Sequence, residues 1–179
     1  GMLMRVKEEV NPEPDIGAAG RAAANSAWKP AVLFEKVKGY TTPVVTNVHG
    51  SWKSHALMLG MDKNTPVKEQ FFELNRRWDA YPVEPVIVKR EEAPCKENTI
   101  TENIDLFQVL SPYRINDQDG GFFLSKAAVI TGDPEYPDDM NKLNVGTYRI
   151  QIKDRDRVGI QALPFHDIAI QLEKAEKVN

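Results

Sequence analysis

Three side chains within residues 144–167 have the types and spacing to do chemistry: the amide of Asn144, the guanidinium of Arg149 and the imidazole of His166. His166 precedes a stretch of helical character, where backbone N–H groups and the helix dipole favour an anion such as phosphate. Asn144 and His166 together offer oxygen and nitrogen donors for a hard-to-intermediate divalent metal bridging that phosphate. A plainer alternative covers the same residues: an ordinary hairpin with one solvated arginine and a histidine at a helix start.

The elements that must position these groups are a hairpin and a helix. Apolar and polar residues alternate over 148–152, which predicts a half-buried strand. The charged run 153–157 suits a turn, and 158–163 reads as the return strand, stopped by Pro164. Asp167 is the expected N-cap of a short helix whose apolar residues Ile168, Leu172 and Ala175 recur at helical spacing. On a flat strand Asn144 and Arg149 would point to opposite faces. Gly146 between them can host a bulge. The expectation is therefore an irregular strand that brings both side chains into one cleft beside His166.

The run N-V-G-T-Y-R at 144–149, followed by L-P-F-H-D-I-A-I at 163–170, resembles the flavin-site signature of the UbiD-type decarboxylases, most of all their phenolic-acid (4-hydroxybenzoate or vanillate) branch. The likeness extends through P-A-V-L-F-E-K-V-K-G-Y at 30–40 and D-G-G-F-F-L-S at 119–125. The resemblance implies prenylated FMN as cofactor, with a divalent metal (Mn or Mg) and potassium as a further candidate. It assigns the metal on the cofactor phosphate to Asn144 and His166, and the substrate carboxylate to Arg149. The backbone of Gly146, Thr147 and Tyr148 would line the flavin. It implies an aromatic or unsaturated carboxylic acid as substrate and a flavin prenyltransferase as cofactor supplier. The family's third metal ligand and catalytic glutamates lie downstream of this signature, outside residues 1–179, so an amino-terminal portion, incomplete and inactive alone, is expected.

The remainder of the chain limits the other function classes. The 179 residues carry a net charge of −3 with Lys and Arg scattered, so no basic stripe for nucleic acid is present. No apolar run approaches membrane-spanning length, and no membrane partner is expected. The single cysteine, Cys95, lies in a polar segment and reads as an incidental thiol; it fits a reducing cytosol and a cytoplasmic setting.

An alanine-rich run over 15–28 predicts a helix, one that packs close to a sheet. Strands are expected over 31–37, 43–48 and 84–89. Helices are expected from Ser51 to Gly60 and from Thr65-Pro66 to Pro82, the second with a buried stripe of Val67, Phe71, Leu74 and Trp78. His49 and His55 read as structural or surface residues. Residues 91–103 are polar and aperiodic, a candidate linker. Asp119-Gly120-Gly121 signals a turn before a buried strand over 122–131.

Together these predict an α+β chain: a small α/β domain over 1–103, then over 104–179 the incomplete start of a flavin-reductase-like split β-barrel. An unclosed barrel exposes an edge, so a homo-oligomer is expected. Besides the carboxy-lyase, two readings stay open. One is a non-catalytic flavin- or partner-binding module or subunit of a split enzyme; the other is an FMN oxidoreductase.

Overall fold

The β-branched and aromatic residues of Ala31–Val37 form a strand (β2) whose alternate side chains Val32 and Phe34 are buried, the pattern of a sheet with one face against a core. In the computed structural model, which describes residues 2–81, 83 and 86–178, β2 is the centre of a three-stranded sheet. β1 (Leu3–Val10) lies parallel to it on one side and β3 (Val44–Thr46) antiparallel on the other. The sequence reading missed β1. Its run of Arg5, Lys7, Glu8 and Glu9 hides any alternation, and it serves as a charged edge on which Arg5 pairs with Glu35 at 3.0 Å.

The chain is mixed α+β, and contacts cluster it into two units, Gly1–Ile104 and Asp105–Asn179. In the first, an irregular helical turn (Pro12–Ile16) and α1 (Gly17–Asn25) connect the parallel strands, somewhat earlier than the predicted 15–28. The small residues do bring α1 close to the sheet: a Cβ at Gly20 would lie 2.9 Å from Thr46 Oγ1. α2 (Trp52–Met58) begins as expected, with the Ser51 hydroxyl accepting from the Ser54 N–H. Gly60 takes the left-handed conformation after it, at φ +70°. α3 (Val67–Asp79) has Pro66, not Thr65, at its N-cap.

The predicted buried stripe on α3 is a correction. Phe71, Leu74 and Trp78 are all exposed, Trp78 by 77%, and Gln70 is the buried residue of the helix. The partner packed on α3 is α2, seven residues against thirteen, too short to cover the stripe. α3 is joined to α2 by the tilted Trp52–Phe71 ring pair, centroids 5.9 Å apart, and to the chain beyond α2 by Arg77, which Glu73 holds within the helix. Glu73 takes both Arg76 and Arg77 at 2.7 Å, and Arg77 donates to the Leu59 carbonyl beyond α2.

The strand expected over 84–89 did not form where it can be followed: residues 86–89 are unpaired, while Pro82, Glu84 and Pro85 lie outside the described residues. Residues 90–97 form only short single turns, as a linker should.

The second unit opens on Asp105, whose carboxylate accepts from the Phe107 N–H and caps α4 (Leu106–Leu110). β4 (Phe122–Gly132), β5 (Leu143–Asp154) and β6 (Arg157–Ile160) form an antiparallel sheet in chain order, and α5 (Asp167–Val178) follows. β4 is half-exposed rather than buried; Ile130 is 64% accessible. The charged run forms a tighter turn than expected, at residues 155 and 156, so β5 is longer and β6 shorter than predicted. β4 contains a bulge between Leu124 and Ala127. Among the described residues no helix is long and apolar enough to cross a membrane.

Candidate functional site

Accessibility along β5 alternates without a break from Leu143 to Ile150. Asn144, Gly146 and Tyr148 fall on the half-buried face; Val145, Thr147 and Arg149 fall on the exposed one. The expected irregularity at Gly146 is absent; the register shifts of this sheet fall on β4, opposite Ile150 and Tyr148, and between Ile152 and Asp154 where β5 meets β6. Five residues on an unbroken strand leave Asn144 and Arg149 on opposite faces.

Gly146 has a different purpose. A Cβ there would lie 2.7 Å from Tyr148 Cζ, so the missing side chain lets the Tyr148 ring fold back along the strand. The phenol thereby reaches Asn144, with Nδ2 at 3.4 Å from the hydroxyl. On its other side Tyr148 meets His166 edge-on, ring centroids 5.8 Å apart. Asn144, Tyr148 and His166 thus form one cluster beside the start of α5. Arg149 lies elsewhere, its guanidinium 4.5 Å above the ring of Phe123.

His166, rather than Asp167, closes the first turn of α5. Its carbonyl accepts from the N–H groups of Ala169 (2.9 Å) and Ile170 (3.1 Å). Its ring folds back so that Nδ1 accepts from the Leu163 N–H at 3.2 Å. A neutral imidazole accepting at Nδ1 carries its proton on Nε2. In this arrangement the ring offers an N–H donor next to a helix N-terminus, which suits a phosphate oxygen. Coordinating a metal through Nδ1 would require giving up the bond to Leu163.

Asn144 is held from the inside. Its Nδ2 donates to Thr131 Oγ1 at 3.2 Å; the Thr131 hydroxyl donates to Gln171 Oε1 at 2.5 Å, and Gln171 Nε2 donates to the Lys142 carbonyl at 3.2 Å. With Nδ2 committed to these partners, Oδ1 is the atom left for a ligand. Asn144 also lines an open cleft of about 290 Å³ with Asp133, Asp167 and Gln171. An available carboxamide oxygen in a cleft with carboxylates fits a hard divalent cation. Among the described residues no three His, Cys, Asp or Glu side chains stand close enough to hold a metal by themselves.

A charged clasp borders the cleft. Lys174 of α5 reaches Asp133 and Glu135, both at 2.7 Å. The Lys174 ammonium holds the Asp133 carboxyl below its usual range, and Asp133, then Glu135, push the Lys174 pKa up. The covered face of α5 is therefore partly polar. Gln171 and Lys174 are half-buried, whereas Leu172 of the predicted apolar stripe is 58% exposed.

Sequence reasoning missed Thr131, Gln171 and Lys174. Gln171 and Lys174 follow Asp167 at helical spacing, a polar stripe that was legible. Thr131 was not, since only the register of β4 on β5 sets it opposite Asn144. The imidazoles of His49 and His55 also meet unexpectedly, centroids 5.6 Å apart, with Trp52 edge-on to His55.

Comparison with known proteins bears on the whole chain. Residues 1–74 match the 3-octaprenyl-4-hydroxybenzoate carboxy-lyase N-terminal domain, and residues 86–179 match the Rift-related domain of the same carboxy-lyases. A phenolic acid decarboxylase of Sedimentibacter hydroxybenzoicus is 73% identical over all of this chain, which spans 38% of that protein's length. The structure of vanillic acid decarboxylase from the same organism, in closed form, superposes with a TM-score of 0.93 at 73% identity, covering 100% of this chain and 38% of that one. The UbiD-class enzyme HmfF from Pelotomaculum thermopropionicum, in an evolved dimeric form in complex with prFMN, superposes with a TM-score of 0.80 at 34% identity, covering 99% of this chain and 39% of that one.

Proposed function

The chain belongs to the UbiD carboxy-lyase family, and on that premise we propose that it serves the reversible decarboxylation of a phenolic acid with prenylated FMN. The observation that carries this reading is the convergence of Asn144 and His166, 22 positions apart, around Tyr148 at the start of α5. Asn144 Oδ1 would hold a divalent metal, manganese or magnesium. The His166 Nε2–H and the first N–H groups of α5 would hold the cofactor phosphate. The backbone of Gly146, Thr147 and Tyr148 would line the flavin.

When bound, the prenylated flavin supplies the electron sink for the charge that builds as carboxylate leaves. Arg149 would orient that carboxylate. With its Cζ over the Phe123 ring, 4.5 Å from the centroid, the guanidinium would present its N–H donors for a two-point, charge-assisted contact. The two faces of β5 thus separate the anchoring groups from the orienting one. The antiparallel β4-β5-β6 sheet reads as the opening of a split barrel. Its outer edges at β4 and β6, with the exposed Phe71, Leu74 and Trp78 on α3, support self-association.

The test uses the enzyme that carries this chain, co-expressed with a flavin prenyltransferase. Asn144→Ala and His166→Ala are expected to lower bound flavin and metal together. Arg149→Lys should retain the flavin yet depress CO2 release from 4-hydroxybenzoate and vanillate, since lysine keeps the charge and loses the fork. Normal metal and flavin in Asn144→Ala and His166→Ala, or full activity in Arg149→Lys, would show the roles to be misassigned.

A further inference from the structure

A carboxamide ligates a hard cation only through its oxygen, so the chain must solve an orientation problem at Asn144. We propose that Gln171 and Thr131 are positioning residues that fix the Asn144 amide with its oxygen toward the metal, and that the backbone carbonyl of Lys142 sets the polarity of the relay. This rests on reading Asn144 as the metal's oxygen ligand and adds the groups that decide which atom it presents.

The polarity follows from proton counting. The Lys142 carbonyl can only accept, so the Gln171 atom 3.2 Å from it is Nε2. That turns Oε1 toward Thr131 at 2.5 Å. A carboxamide oxygen also only accepts, so it takes the single hydroxyl proton of Thr131. Toward Asn144, 3.2 Å away, Thr131 Oγ1 has lone pairs alone to offer. Asn144 must meet it with Nδ2. A flipped amide would set two oxygens against each other with no proton between them. The relay spans three elements, from the turn before β5 through α5 to β4. The Lys174 clasp to Asp133 fastens α5 next to it.

Two readouts on the enzyme that carries this chain test this. The first needs no metal. In 15N–1H spectra the Asn144 side-chain amide, assigned by its loss in Asn144→Ala, is expected to exchange slowly with solvent. That protection should disappear in Thr131→Val and in Gln171→Leu and persist in Thr131→Ser, which keeps the hydroxyl. The second is Mn2+ affinity in the presence of FMN, followed by electron paramagnetic resonance. Thr131→Val and Gln171→Leu should weaken it by about 10–100-fold, as loss of a partner that orients a metal ligand does. Thr131→Ser should remain near wild type.

An Asn144→Asp background separates orientation from general damage. A carboxylate has oxygen on both sides and needs no orienting, so Thr131→Val should cost no affinity there. A penalty carried unchanged into that background, or amide protection that survives both Thr131→Val and Gln171→Leu, overturns the relay. Wild-type protein without Mn2+ uptake, or Asn144→Ala with unchanged uptake, overturns the reading of Asn144 as ligand, whatever the amide exchange shows.

Discussion

Between Gly1 and Ile104 the sheet is held by apolar burial: Ile16, Val32, Phe34, Val37 and Ala56 are each less than 5% exposed. Between Asp105 and Asn179 the buried apolar side chains among the described residues are Pro112 and Ile152. There α5 is fastened to the sheet by Gln171 and Lys174 through hydrogen bonds and ion pairs. An apolar contact is indifferent to which atom faces which, and contributes stability in proportion to area. A hydrogen bond adds less but dictates direction. The unit that carries the candidate site uses the kind of contact that aims atoms, and the other unit uses the kind that holds weight.

The largest expected effect breaks the burial side. Phe34→Ala removes a fully buried ring and should cost about 3–5 kcal/mol. Trp28, Trp52 and Trp78 all lie in the first unit, so tryptophan fluorescence in urea reads its unfolding there. A midpoint unmoved from wild type would show that this core does not hold the sheet. Next comes Gly146→Ala, which places a methyl under the Tyr148 ring. Displacing the ring should cost about 1–3 kcal/mol and be visible as lost tyrosine signal in near-ultraviolet circular dichroism. An unchanged spectrum and melting curve would mean that Tyr148 does not rest on residue 146.

A smaller effect is expected from Lys174→Met, and it should be sensitive to conditions. Asp133, with its pKa lowered, contributes stability that is present above its ordinary value of 3.8 and lost as pH falls below it. Lys174, with its pKa raised, contributes stability that is present below its ordinary 10.5 and lost as pH rises past it. The difference in thermal midpoint between wild type and Lys174→Met should therefore stay level between those values and shrink outside them. It should also narrow in about 1 M salt, where the part of the clasp open to solvent, at Glu135, is screened within a few ångströms. A difference indifferent to both would make the clasp a packing contact.

The smallest effect belongs to α3 in the first unit. Arg76 and then Arg77 hold the Glu73 carboxyl down to about 2. Its contribution is present above the ordinary 4.5 and fades as pH drops from there toward about 2. Fraying of α3 in acid should register at Trp78, and Glu73→Gln should flatten that response. A pH profile identical in the variant would leave the fork without a role in stability.

Local chemistry was legible in the sequence wherever one residue decides one turn. Ser51 as a cap, Gly60 after α2 and the turn before β4 all follow from side-chain or backbone preferences that act within a few residues. Misses came where a partner decides. The α3 stripe has helical spacing, yet α2 is too short to cover it. β1 carries the charges of an edge strand and shows itself only by pairing with β2. Asn144 and His166 were legible as a pair because both flank α5's approach. The faces of Asn144 and Arg149 were misjudged because the bulge expected at Gly146 formed on β4 instead.

That bulge works as a phase shift of half a pleat. Phe123 lies beside Gln151 in register and beneath Arg149, on the exposed side, whereas Thr131 lies across from Asn144 on the half-buried side. Both are odd-numbered residues of one strand, and an unbroken strand would have sent them the same way. The extra residue at 125–126 lets β4 address both sides of β5 with like-spaced positions. Flattening the bulge with every residue kept would force one half of β4 to slide along β5, so Phe123 could stay under Arg149 only by taking Thr131 away from Asn144, whereas deleting Ser125 would remove the bulge and keep both pairings. A related chain one residue shorter at this point could therefore hold the same two pairs on an unbroken strand.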